Sequence, residues 1–254
     1  MVINISNHES SVIERGIYYF SLTNYPNITS SELKNLLDFI NYEKSYGRQT
    51  EIVCKDEATL AIINNAVDHP EIIENISIPI ENEFVYHGTD IKAAKEILSC
   101  GKLLSAVKVY RKTADELAFE KRDSLWNDPA DYFEYIMLCW GNCAVGDYVV
   151  LSENFSSEDD LKNGNFNPGV RFYFRYEDII KHPGNTFDGY HPIKVKDEIV
   201  LSDYLYACIV PKQYKDELEG QISLELSDKI YYLSQKKLGI LDWNKKVYNF
   251  VSEL

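Results

Sequence analysis

FVYHGTDIKAAKEILSCGKLL (Phe84–Leu104) is the stretch on which the rest of the chain depends. Phe84-Val85-Tyr86 reads as a short strand, and it ends in His87-Gly88-Thr89. The next segment, Asp90–Gly101, reads as a helix. Asp90 is placed to cap it and Gly101 to end it. A plain strand-to-helix connection needs only a turn and a cap. This one adds an imidazole, a flexible backbone unit and a hydroxyl at the mouth of a strand.

The chain around it has 254 residues, enough for one large domain or an ordinary domain with a smaller partner. Hydrophobic residues make up 45%, ample for a core. The 26 basic residues against 40 acidic ones give a net charge of −14. That balance argues against broad duplex binding, which draws on phosphate contacts, and against anionic membrane surfaces. The N-terminus has no basic stretch followed by an apolar run, and no window approaches 18 apolar residues, so neither a signal peptide nor a membrane span is expected. Five scattered cysteines fit free thiols in a reducing cytoplasm. Cys139 and Cys143 lack the two further ligands that a zinc site needs, so they read as buried thiols. Tyr is frequent, at 19 residues, which suits pockets and interfaces.

Residues 1–80 read as a small α/β unit. Gly16–Leu22 and Gln49–Lys55 are expected strands. Thr29–Ser45 is an expected amphipathic helix, capped by Ser30 or Ser31, with Leu33, Leu36, Leu37 and Ile40 on one face. Asp56–His69 is a second expected helix, capped by Asp56. No glycine-rich phosphate loop occurs here. From residue 81 the pattern is α+β. Arg111–Gly141 reads as a helical insertion split by Pro129. Gly146–Phe155 and Gly169–Ile180 read as strands rich in β-branched and aromatic residues. Lys196–Pro211 reads as two strands meeting near Ser202–Asp203, and the tail from Tyr214 carries helical segments.

Three features of this second part fall in order along the chain: His87-Gly88-Thr89, the run DYVVLSENF (Asp147–Phe155), and DEIVLSDYLYACIVP (Asp197–Pro211). Together they resemble the motifs of ADP-ribosyltransferases of the His-Tyr-Glu type. That group includes poly-ADP-ribose polymerases, tRNA 2′-phosphotransferases, and the rifampicin-modifying and DarT-type enzymes, the last two being the nearest in feel. The resemblance covers residues 81–215 and not the first 80. It implies a split β-sheet with a helical insertion, preceded by the small α/β unit: a domain at 1–80 for recognition or regulation and a catalytic domain at 81–254.

The resemblance also implies roles. NAD would be the substrate, with no metal. His87 would bond the nicotinamide-side ribose, and Gly88 would let its backbone approach the nicotinamide amide. Thr89 would hold the adenosine side or fix the turn. Glu198 would bond the ribose 2′-hydroxyl and stabilise the oxocarbenium-like transition state. Tyr148 or Ser152 would occupy the middle position. The chain departs from the family there, because Val149-Val150-Leu151 stands where a stacking ring is usual; Tyr110, Tyr173 and Tyr190 are the alternatives. Arg111, with Arg171 behind it, would meet the NAD phosphates. The loop Lys181–Pro192 lies where acceptor loops sit in the family, and His182 and His191 read as loop residues.

The implied activity is mono-ADP-ribosylation of a macromolecule, with nucleic acid ahead of protein, by a bacterial toxin or anti-phage effector. An antitoxin or regulatory partner would meet the N-terminal unit, with no membrane partner. An RNA 2′-phosphotransferase and a non-catalytic binding module on the same fold are the rival expectations.

Overall fold

The computed structural model describes residues 1–8, 10–76, 80, 82–121, 129–151 and 157–254. In chain order, β1 (Val2–Ser6), β2 (Val12–Glu14) and β3 (Ile17–Ser21) lead to α1 (Ser30–Ser45), β4 (Glu51–Val53) and α2 (Glu57–Asp68). Then come β5 (Phe84–Thr89), α3 (Ile91–Cys100), β6 (Lys102–Leu104), α4 (Ala106–Tyr110) and α5 (Ala114–Lys121). Next are β7 (Tyr135–Trp140), α6 (Val145–Leu151), α7 (Glu158–Lys162), β8 (Val170–Arg175) and α8 (Tyr176–Ile179). The remaining elements are β9 (Asn185–Thr186), β10 (Ile193–Lys196), β11 (Glu198–Val200), α9 (Leu201–Tyr204), β12 (Leu205–Pro211), α10 (Lys215–Leu218), β13 (Ile230–Leu233) and α11 (Ile240–Ser252). The architecture is mixed helix and sheet, of the α+β kind. Among the described residues, no helix is long and apolar enough to cross a membrane.

The chain forms two compact units. The first holds 1–80, 110–134 and 187–191; the second holds 81–109, 135–186 and 192–254. Two segments expected in the second domain therefore belong by contact to the first unit.

In the first unit the strand order is β2-β3-β1-β4, with β1 parallel to both β3 and β4. The helix expected at 29–45 is α1, and its cap is Thr29 rather than Ser30 or Ser31. Thr29 and Glu32 form a full capping box. The Glu32 carboxylate also accepts the Thr23 N–H at 2.7 Å, so the loop after β3 selects the cap. Leu33, Leu36, Leu37 and Ile40 are buried as expected. The segment 130–134 is tied to α1: Tyr42 donates to Asp131 Oδ2 and Arg48 to Asp131 Oδ1, each at 2.5 Å, and Arg48 also pairs with the buried Glu43. Gly189, in the left-handed region, packs its backbone on α1, where a Cβ would meet Asn35 O.

The second unit is built on a seven-stranded sheet of order β13-β12-β8-β5-β7-β10-β9. β5 is central and antiparallel to both neighbours. Successive residues alternate between two cores. Val85, Phe172 and Phe174 face one, with Ala94 and Leu98 of α3. Phe84, Tyr86 and Tyr173 face the other, with Trp243, Val247 and Val251 of α11. A separate two-stranded ribbon pairs β6 with β11.

Two expectations fail here. The helical insertion expected at 111–141 contains β7, an interior strand. Buried between β5 and β10, its run YIMLCW carries no polar alternation to separate it from a helix. The strand expected at 146–155 begins instead as α6; residues 152–156, Ser152 included, lie outside the described residues. Helical spacing turns Asp147 and Leu151 inward together, four apart, and leaves Tyr148 and Val149 exposed. A strand would have turned Asp147 and Val149 to the same side.

Candidate functional site

The motif His87-Gly88-Thr89 forms the end of the central strand. β5 pairs with β8 over its whole length, from Phe84↔Arg175 to Thr89↔Val170. It pairs with β7 only at Val85↔Trp140 and Tyr86↔Cys139. Beyond Tyr86 the ladder with β7 stops, and His87 lies at that point. Its Nδ1 is 3.2 Å from the Met137 carbonyl on β7. A carbonyl only accepts, so Nδ1 carries the proton and donates it. Burial pushes the imidazole below its ordinary value of 6.5, against a smaller upward pull from the Met137 bond. The ring is thus neutral near pH 7, and Nε2 is a bare acceptor.

Gly88 has its own reason to be glycine. A Cβ there would meet Gly146 O at 3.3 Å and Tyr86 Cε2 at 3.4 Å. Gly146, the second residue of α6, is packed tighter still, with the Tyr86 hydroxyl 2.8 Å from where its Cβ would lie. Glycine on both sides lets the α6 backbone rest on β5. Beneath α6 is a buried ion pair. Arg171 on β8 donates to both Asp147 oxygens, to Asn244 Oδ1 at 2.9 Å and to the Tyr173 hydroxyl at 3.0 Å. Its guanidinium also lies 5.0 Å from the centre of the Tyr86 ring. Burial pulls the guanidinium down and Asp147 more than offsets this, so it is held above its ordinary range.

Glu198 stands at the start of β11. Lys102 Nζ lies 3.0 and 3.2 Å from its two carboxylate oxygens. β11 also comes close to β7, the strand whose Met137 carbonyl His87 bonds, without pairing with it. No hydrogen bond or ion pair joins His87 to Glu198 among the described residues. His182 lies within electrostatic reach of Glu198. Burial lowers its imidazole, and Glu198 opposes that. Its ring packs on Tyr204 at 5.0 Å.

The remaining expected residues are dispersed. Tyr148 is 39% exposed on α6, two residues past the glycine that touches Gly88. Tyr173 is fully buried and stacks on Tyr86 at 5.2 Å, which removes it as a ring for a ligand. Tyr190 packs on Tyr18, and Tyr110 and Arg111 are exposed, all three in the first unit. Arg111 has a left-handed backbone, φ 53°. Arg171 is committed to Asp147 in the core and is not available to a phosphate.

Sequence reasoning missed Lys102 and His182 as neighbours of Glu198. Lys102 pairs with a residue 96 positions away, and only the β6–β11 register reveals that. His191, expected as a loop residue, bonds through Nδ1 to the buried Asp188 at 2.9 Å. Cys139 donates to Tyr86 O at 3.5 Å, and burial pushes its thiol up to about 12. Among the described residues, no group of three or more His, Cys, Asp or Glu side chains is gathered to hold a metal. No family model, curated protein or solved structure matches the chain.

Proposed function

We propose that the second unit is a mono-ADP-ribosyltransferase that takes NAD as substrate, on a split sheet of the kind its motifs resemble. The observation that carries this reading is the state of His87. It is a neutral imidazole, anchored through Nδ1 by a carbonyl where the β5–β7 ladder ends, which leaves Nε2 as the acceptor that a hydroxyl would meet. A ribose offers that hydroxyl. Gly88 beside it lies past the last β5–β7 pair, and in this reading its backbone on that edge meets the nicotinamide amide.

In this reading the bond between nicotinamide and C1′ of the ribose breaks, and its electron pair leaves with the ring nitrogen. Positive charge develops on the ribose. Glu198 is the carboxylate that stabilises it and accepts from the 2′-hydroxyl. An acceptor nucleophile then bonds to C1′ and loses its proton to Glu198 or solvent. Tyr148 is the ring of the second unit left to cover nicotinamide. Thr89 borders the site. Arg111 belongs to the first unit, and Ser152 lies outside the described residues.

The acceptor is a macromolecule, and resemblance favours a nucleic acid over a protein. The biological setting that fits is a bacterial toxin or an anti-phage effector. The test is transfer of label from NAD radiolabelled in its adenylate phosphate, with DNA, RNA and cell protein offered separately. Label on one class, lost in Glu198→Ala, supports the reading and identifies the acceptor. Label on none of them, with no NAD consumed, overturns it.

A further inference from the structure

We propose that Lys102 is a positioning residue for Glu198, holding its carboxylate in the orientation that the transfer reaction uses. This rests on the transferase reading above. Lys102 opens β6 and Glu198 opens β11. The register sets Lys102 opposite Val200 and Glu198 opposite Leu104. The two side chains therefore lie diagonally on the outer face of the ribbon, while Leu103 and Ile199 face the core. Nζ reaches both carboxylate oxygens, at 3.0 and 3.2 Å.

A glutamate on a three-residue strand has three side-chain torsions to fix. The backbone on either side is already clamped. Asp197 is held in the left-handed region, φ 67°, and its carbonyl accepts the Ser105 N–H at 2.8 Å. After the strand, the Leu201 N–H donates to Gly101 O at 2.9 Å. Lys102 supplies the restraint that remains, on the side chain itself.

His182 completes the surroundings. Its Nδ1 accepts the Gly184 N–H at 3.0 Å, so the neutral ring carries its proton on Nε2 and does not compete with Glu198 as a base. Lys102 and Glu198 side chains are 42% and 46% exposed. A pair that open to solvent adds little to stability, which separates positioning from folding in experiment. It also leaves the carboxylate accessible to a substrate.

The test is steady-state nicotinamide release from NAD by the wild type, Lys102→Met and Lys102→Arg, with melting curves alongside. Lys102→Met is expected to keep its melting temperature and its KM for NAD and to lose about tenfold to a hundredfold in kcat, the scale of a displaced reacting group. Lys102→Arg is expected to recover most of that loss, since a guanidinium spans two carboxylate oxygens. A Lys102→Met kcat equal to wild type overturns the proposal. So does a raised KM at unchanged kcat, which would make Lys102 a substrate contact. If the wild type releases no nicotinamide, the transferase reading fails first and the role of Lys102 falls with it.

Discussion

Removing Asp147 tests the packing that holds α6 against the central strand. In Asp147→Ala the Arg171 guanidinium stays charged, because arginine does not deprotonate in proteins. It is 1% exposed, and among the described residues it keeps the Tyr173 hydroxyl, Asn244 Oδ1 and the Tyr86 ring as partners. None of these carries a negative charge. Stranding one member of a buried pair costs about 3–5 kcal/mol. At roughly 2–4 °C per kcal/mol for a chain of this size, the melting temperature falls by roughly 6–20 °C. Trp243 fluorescence is the natural readout, since that ring is fully buried next to Asn244. Urea titrations give the free energy. The double variant Asp147→Leu/Arg171→Met removes both charges and is expected to regain much of the loss. A single-variant cost under about 1 kcal/mol, against the range for a stranded buried charge, refutes this account of the core. So does a double variant no better than the single one.

Two further outcomes follow from the same geometry. Gly146→Ala places a Cβ 2.8 Å from the Tyr86 hydroxyl and 2.9 Å from its ring, and that ring is pinned by Tyr173 and by its bond to Cys143 O. A loss of about 1–3 kcal/mol in urea denaturation is expected, as for other overpacked sites; an unchanged midpoint contradicts it. Because burial lowers the folded pKa of His87, the unfolded chain takes up the proton first as pH falls. Stability is therefore lost below the ordinary value of 6.5 and down through the folded value. The folded ring stays neutral until the pH approaches that lower folded value, so the acid limb that His87 sets in kcat/KM is expected below 6.5. NMR titration of the ring, and a pH–rate profile, check this; a limb above 6.5 assigned to His87 contradicts it.

Much of the first unit was legible because its signals are local. The period of Leu33, Leu36, Leu37 and Ile40, and the Asp56 cap, read directly as α1 and α2. β1 and β2 went unread, being short strands stabilised by partners distant in sequence. The strand, helix and glycine around His87 were legible for the same local reason: Asp90 accepts the Ala93 N–H, and Gly101 takes the left-handed turn. The strands around Glu198 also read correctly, meeting at a single turn of helix. The middle of the chain misled. β-branched Val149 and Val150 suggested a strand, but the demand of a buried Arg171 for an inward Asp147 fixes a helix. That demand comes from a residue 24 positions away, and no local propensity carries it.

The most direct test of the central claim is nicotinamide release from NAD by purified wild type and Glu198→Gln. The substitution keeps the shape and removes the charge that would face the developing cation. The account predicts release by the wild type and a fall of about 10²–10³ in the variant, the scale for loss of one preorganised transition-state contact. NAD binding should be nearly unchanged. No release by the wild type, or release that Glu198→Gln leaves intact, would contradict it.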